Sequence, residues 1–262
     1  MIVPSNLDDT IPVVCNTEDR EIFGNITAAV ALDLPWLQLS EPHDGIAVIV
    51  GGGPSMKALL PMIAGHKAAG HVIFAVNGTL PALASIDVTP DHFVLLDARA
   101  HNQGFIQPNK ATKYLIASQC NQGVFDALQG HDVTIWHPAY PGIDEYIGDR
   151  QCALIGGGTT VGLQAMSIAF AMGYRSIHLY GFDSSYSKAG EGHAYAQPAN
   201  DADPRESYWV NGKEYIAAPW MARQAMEFQT AAQQLADADA VIQVHGHGLL
   251  PAIAKSMSEP PK

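Results

Sequence analysis

The residues best placed to do chemistry are Gly51-Gly52-Gly53-Pro54-Ser55. They follow the apolar run Ile46–Val50. They precede a segment in which Met56, Leu59, Leu60 and Ile63 fall at helical spacing. A strand, a turn nearly free of side chains and a helix N-terminus in this order present backbone N–H groups and a helix dipole to an anion. The chemistry would be the binding of a nucleotide or a phosphosugar. A tight strand-to-helix turn would use the same residues. No Gly-Lys-Ser/Thr follows, so this is not the phosphate-loop lysine motif, and the spacing is not that of the dinucleotide fingerprint.

A second loop of this kind, Gly156-Gly157-Gly158-Thr159-Thr160, precedes Val161–Met172. Thr159 or Thr160 can cap that helix and Gly173 can end it. The helix is apolar nearly all round, which places it centrally. Its N-terminus is either a second anion site or a plain cap.

Loops of this type need a regular scaffold. Strand-like runs recur at Ile46–Val50, Val72–Val76, Phe93–Leu96, Tyr114–Ala117, Val133–Trp136, Ile177–Tyr180 and Val241–Val244, with helical patterns between most of them. The alternation predicts an α/β, Rossmann-like fold, a mostly parallel sheet flanked by helices on both faces. Ligands of such sheets bind at the carboxyl ends of strands. The residues found there are the glycine loop, Asn77-Gly78, Asp97, Ser118-Gln119, His137, Gly181-Phe182-Asp183 and His245-Gly246-His247. Asn77-Gly78 is also a turn signal, and Asp97 could serve as a loop cap. His245 and His247 have no further local ligands, so a ligand-facing loop is preferred to a metal site.

Residues 1–44, with four prolines, read as an N-terminal arm or cap. Residues 45–250 read as the Rossmann-like domain and 251–262 as a C-terminal tail. Between 184 and 218 the regular pattern breaks down into glycine, aromatic and charged residues, including His193, Tyr195, Arg205 and Trp209. A stretch this long predicts a lid. Pro219 then opens a long helix with an apolar stripe of Met221, Ala225, Phe228, Ala232 and Leu235.

The 262 residues are 47% hydrophobic and 15% charged, with a net charge of -12. That balance supports a sizeable core and argues against a nucleic-acid surface. A single anionic ligand held by backbone dipoles remains compatible with it. No run of about 18 apolar residues predicts a membrane span. The first residues lack the basic and apolar regions of a signal peptide. Cys15, Cys120 and Cys152 are scattered, which fits a reduced, cytoplasmic setting. The composition permits a homo-oligomer.

The stretch Val48-Ile49-Val50-Gly51-Gly52-Gly53-Pro54-Ser55-Met56 resembles the Gly-x-Gly-Pro-Ser-Leu opening of the 6-hydroxymethylpterin diphosphokinase-like (MptE-like) family, which also includes flagellar accessory glycosylation proteins. Gly158-Thr159-Thr160-Val161 through Gly173-Tyr174-Arg175-Ser176-Ile177-His178-Leu179-Tyr180-Gly181-Phe182-Asp183 is similar to its second signature. The order of parts over residues 45–250 also resembles Campylobacter-type bacterial sialyltransferases, although Gly52 stands where those carry Asn.

The resemblance implies a nucleotide-binding transferase with a small-molecule acceptor. In the diphosphokinase reading, diphosphate passes from ATP to a 6-hydroxymethylpterin-like acceptor. Mg²⁺ is then held by Asp97 and Asp183 with phosphate oxygens, and Asp183 also acts in catalysis. In the glycosyltransferase reading, the donor is a nucleotide-activated sialic or nonulosonic acid and no metal is needed. His193 then serves as general base. In both, Gly51, Gly52, Gly53, Pro54, Ser55, Asn77, Gly78, Asp97, Gly158, Thr159, Thr160, Gly181 and His245 line the nucleotide site. A non-catalytic nucleotide-binding module is a third reading.

Overall fold

A computed structural model describes residues 17–200 and 202–258; Cys15 and the first 16 residues of the expected N-terminal arm lie outside them. The elements in chain order are α1 (Asp19–Val30), β1 (His43–Val50), α2 (Met56–Ala68), β2 (Val72–Val76), α3 (Leu80–Ala84), β3 (His92–Leu95), β4 (Lys113–Ala117) and α4 (Gln122–Ala127). There follow β5 (Val133–Pro138), α5 (Asp144–Ile147), β6 (Leu154–Ile155), α6 (Val161–Ala171), β7 (Tyr174–Tyr180), β8 (Glu206–Val210), β9 (Lys213–Ala217), α7 (Pro219–Ala236), β10 (Val241–His245) and α8 (Leu249–Ser258).

Eight strands form one parallel sheet in the order β10-β7-β1-β2-β3-β4-β5-β6. Val48 and Ile49 point to opposite faces of β1, and both are fully buried. Helices therefore cover both faces, which is why the central strands are apolar runs rather than alternating ones. The chain runs outward from β1 to β6 and then crosses back, so that β7 pairs with β1 on its other side. The strand order reverses at β1/β7, where a doubly wound sheet opens its crevice. The first glycine loop stands at the end of β1 and Gly181-Phe182-Asp183 at the end of β7.

The 17–42 segment is integrated into the domain. α1 packs on α4 and α5. Asn25 donates to the carbonyls of Ala98 and Gln119, at the carboxyl ends of β3 and β4. Trp36 bridges to Ile135 of β5.

Two regions differ from the expectation. Residues 251–258, read as part of a tail, continue α8, which buries Leu249, Leu250 and Ile253. The 184–218 stretch contains the antiparallel pair β8-β9. Its turn is Asn211-Gly212 with φ of 50° and 76°, the two-residue turn that matches strand twist. Between Asp183 and β8, the described structure holds only a short 3-10 turn, Pro198–Asn200.

Candidate active site

The loop after β1 does not offer its amides freely. Gly51 donates to Tyr180 O at 2.7 Å and Gly53 to Gly181 O at 2.8 Å. The Ser55 N–H and hydroxyl both donate to Asp183 Oδ2, each at 3.0 Å. Pro54 has no N–H. The glycines permit close approach of protein to protein: a Cβ on Gly53 would stand 2.1 Å from Asp183 Oδ2. The expected anion cradle is thus already filled by an internal carboxylate.

Asp183 is 3% exposed. Desolvation pushes its carboxyl above the usual range, and the bonds from Ser55 and His247 offset only part of that. Its position ties the loop after β1 to the loop between β10 and α8. In this structure the carboxylate acts as a structural pin between the two loops.

The second loop repeats the device. The N–H and hydroxyl of Thr159 donate to Glu227 Oε2 of α7 at 2.8 and 2.9 Å. Thr160 occupies the N-cap position of α6 without making a cap bond. Its hydroxyl instead accepts from Gln224, which in turn accepts from Ser184. Gly158, beside it, takes a bond from Gln164 on its carbonyl.

Asp97 grips Arg99 with both carboxylate oxygens, at 3.0 Å to Nε. Against the desolvation that would raise it, the bonds from Arg99 hold this carboxyl below the usual range. β7 and β3 are separated by β1 and β2. The strands that carry Asp183 and Asp97 thus end three strand spacings of roughly 4.8 Å apart, and each carboxylate is engaged by a protein partner, Ser55 for Asp183 and Arg99 for Asp97. Among the described residues no three His, Cys, Asp or Glu side chains form a metal-holding group.

Asn77 carries a different signal. It has φ of 48°, a left-handed conformation for a residue with a side chain, and its buried Oδ1 has no hydrogen-bond partner among the described residues. A left-handed backbone and an unmet buried acceptor meet here at a strand end, which makes Asn77 a candidate ligand contact. Next to it, Gly78 and, across from it, Gly52 flank the ring of Tyr195.

His193 stands two residues before Tyr195, its ring stacked on Trp220 at 6.0 Å. Burial holds its imidazole below the usual pKa, and Asp203 draws it partly back. Trp220 Nε1 and Asn200 both donate to that Asp203 carboxylate. His193 lines a cavity of about 460 Å³ together with Lys57, Tyr186, Tyr195, Arg205 and Met221. The cavity lining carries two cations, Lys57 and Arg205, against one carboxylate, Glu191, a local excess of positive charge in a chain of net charge -12. Arg205 lies over the Tyr186 ring at 4.2 Å and donates to Gly190 O. Lys57 and Arg205 were not picked out from sequence as ligand contacts, because only the fold brings α2 and the 184–218 stretch together.

His245 is elsewhere. It stacks on Tyr180 at 4.3 Å and pairs with His178 at 3.0 Å. His66 pairs with His71 at 2.6 Å and with the Tyr180 hydroxyl at 2.8 Å. These four histidines and one tyrosine knit α2 to the β7–β10 edge. Gly181 closes the turn beneath the first loop, with φ of 71°.

Residues 35–189 match the family described as 6-hydroxymethylpterin diphosphokinase MptE-like. No curated protein matches the chain in sequence. Its fold is similar to the MAf glycosyltransferase from Magnetospirillum magneticum AMB-1, with 17% identity over 91% of this chain and a TM-score of 0.64. The chain spans 41% of that structure. A mammalian sialyltransferase solved with Gal-beta-1-3GalNAc-ortho-nitrophenol aligns over 94% of this chain and 82% of its own, with 13% identity and a TM-score of 0.43. No helix among the described residues is long and apolar enough to cross a membrane.

Proposed function

As the chain belongs to the MptE-like family, we propose that it is a group transferase, and specifically a glycosyltransferase with a nucleotide-activated donor. The observation that carries this reading is His193 beside a cavity that also takes Lys57 and Arg205. A neutral imidazole at pH 7 is suited to receive a proton. It takes the proton of an acceptor hydroxyl as that oxygen attacks the anomeric carbon. The bond from that carbon to the donor's phosphate oxygen breaks, and the nucleotide leaves with the electron pair. Lys57 and Arg205 supply positive charge for the departing phosphate or for the carboxylate of a sialic or nonulosonic acid. Asn77 and Gly78 hold the nucleotide, while Asp183 and Glu227 keep the two glycine loops in shape.

Diphosphate transfer from ATP to a 6-hydroxymethylpterin-like acceptor is the second reading, favoured by the family's description. The three strand spacings between the ends of β3 and β7, which carry Asp97 and Asp183, weigh against a Mg²⁺ shared between them. The test is His193→Ala: sugar transfer from a nucleotide-sugar falls at least 100-fold while nucleotide affinity stays within about two-fold. Full activity in that variant removes His193 from the mechanism.

A further inference from the structure

The glycines at 52 and 78 sit at the ends of adjacent strands β1 and β2. A Cβ on Gly52 would stand 2.6 Å from Tyr195 Cε1 and its hydroxyl, and one on Gly78 would stand 2.6 Å from Tyr195 Cε2. Neither position tolerates a side chain while the ring is there. Phe105 closes the slot edge-on, 6.4 Å from the Tyr195 ring at 70°. The two glycines thus close around the phenol end of the ring.

Two polar groups lie at it. The Gly78 N–H interacts with the Tyr195 phenol oxygen. The adjacent Asn77 Oδ1 is buried and unmet among the described residues, in a residue held at φ of 48°. Tyr195 satisfies the donor and leaves the acceptor unserved. It also comes from a segment without helix or strand, tied to the loop after β1 by the Ala194 N–H to Gly52 O bond at 2.9 Å.

We infer that the Gly52–Gly78 slot is a subsite for a planar heterocycle and that Tyr195 is its placeholder, expelled when the ligand enters. The ligand presents an N–H to Asn77 Oδ1 and, beside it, a ring nitrogen or carbonyl to the Gly78 N–H. A nucleobase and a pterin both carry that edge. The inference rests on the nucleotide-donor reading in assigning the slot to the base of the donor.

Isothermal titration of the full chain with CMP, UMP, AMP and 6-hydroxymethylpterin separates the cases. Removing a competitor raises apparent affinity by the inverse of the competent fraction. Tyr195→Ala therefore binds a nucleotide about ten-fold more tightly than the wild type, and Tyr195→Phe binds it more tightly to a lesser degree. Asn77→Gly, which keeps the left-handed backbone and removes the amide, weakens binding about five-fold. Nucleotide binding that is unchanged or weaker in Tyr195→Ala overturns the placeholder and leaves the donor reading standing. Tightening for the pterin alone supports the slot and overturns the nucleotide reading. Binding of none of the four overturns both.

Discussion

Asp183 accepts hydrogen bonds from both the N–H and the hydroxyl of Ser55, across 128 residues of chain and at the point where the strand order reverses. Glu227 does the same for Thr159. Each glycine loop thus carries its own anion. Two loops that look like phosphate cradles are closed by carboxylates of the protein. The open chemistry has shifted to the Asn77, Tyr195 and His193 side of the cleft.

Asp183→Asn tests the pin. The amide can replace one acceptor oxygen, but it places an N–H₂ where a donor already points. Removing a charged acceptor from buried donors costs about 2–3 kcal/mol. The expected outcome in urea denaturation is a lower midpoint at unchanged slope. Wild-type stability with lost activity would instead mark Asp183 as a group that touches substrate.

Gly53→Ala and Gly65→Ala make a matched pair. The first puts a Cβ 2.1 Å from Asp183 Oδ2, and the second meets nothing within 4 Å on α2. Gly53→Ala is expected to destabilise by about 2 kcal/mol or more through the displaced pin. Gly65→Ala is expected to stabilise by about 0.5–1 kcal/mol by restricting the unfolded chain in a helix interior. Equal effects in thermal melts would contradict the packing described for the first loop.

Stability should fall with acidity between pH 6.5 and about 4. Desolvation lowers His92, His137 and His178 to about 4. Nearby cations lower His92 and His137 further while acidic neighbours of His92 oppose the shift, and neighbouring histidines add to the shift of His178. The unfolded chain takes up these protons first, near 6.5, so it binds more protons throughout that window and gains on the folded state as pH drops. Above pH 6.5 the contribution is complete. A Tm series from pH 7.5 to 4.5 should decline by several degrees or more. His178→Phe would flatten part of the decline; a flat series in the unmutated protein would contradict the paired histidines.

The rate of sugar transfer has its own pH signature. Burial holds His193 below its ordinary value, with Asp203 opposing part of that. The acid limb of the rate should therefore lie below the range of an ordinary imidazole. A limb centred at 7 or above in kcat would assign the proton transfer to another group.

The scaffold was legible because its strands are β-branched runs bounded by glycine and polar residues: Val72–Val76 matches β2 residue for residue. The reversal at β1/β7 was not legible, because strand order is set by tertiary pairing. The β8–β9 hairpin was legible in principle from Asn211-Gly212, but the charged and aromatic residues around it masked the alternation. What the loops do was not legible. Ser55 and Thr159 look alike with or without a carboxylate beside them, and Asp183 and Glu227 reach them only through tertiary packing. Tyr195 gives no sequence signal, since its slot is made by two glycines on different strands. His245 looked like a ligand contact because strand ends usually are, yet it is consumed by His178 and Tyr180 on the edge of the sheet.

The most direct test offers the protein two donors in parallel. One arm supplies nucleotide-activated sugars, CMP-linked nonulosonic acids among them, with hydroxyl acceptors. The other supplies ATP, Mg²⁺ and 6-hydroxymethyl-7,8-dihydropterin. Release of the nucleotide from a sugar donor, dependent on His193, and no AMP in the second arm are expected. AMP formation with the pterin, together with no turnover of any nucleotide-sugar, would contradict the glycosyltransferase assignment.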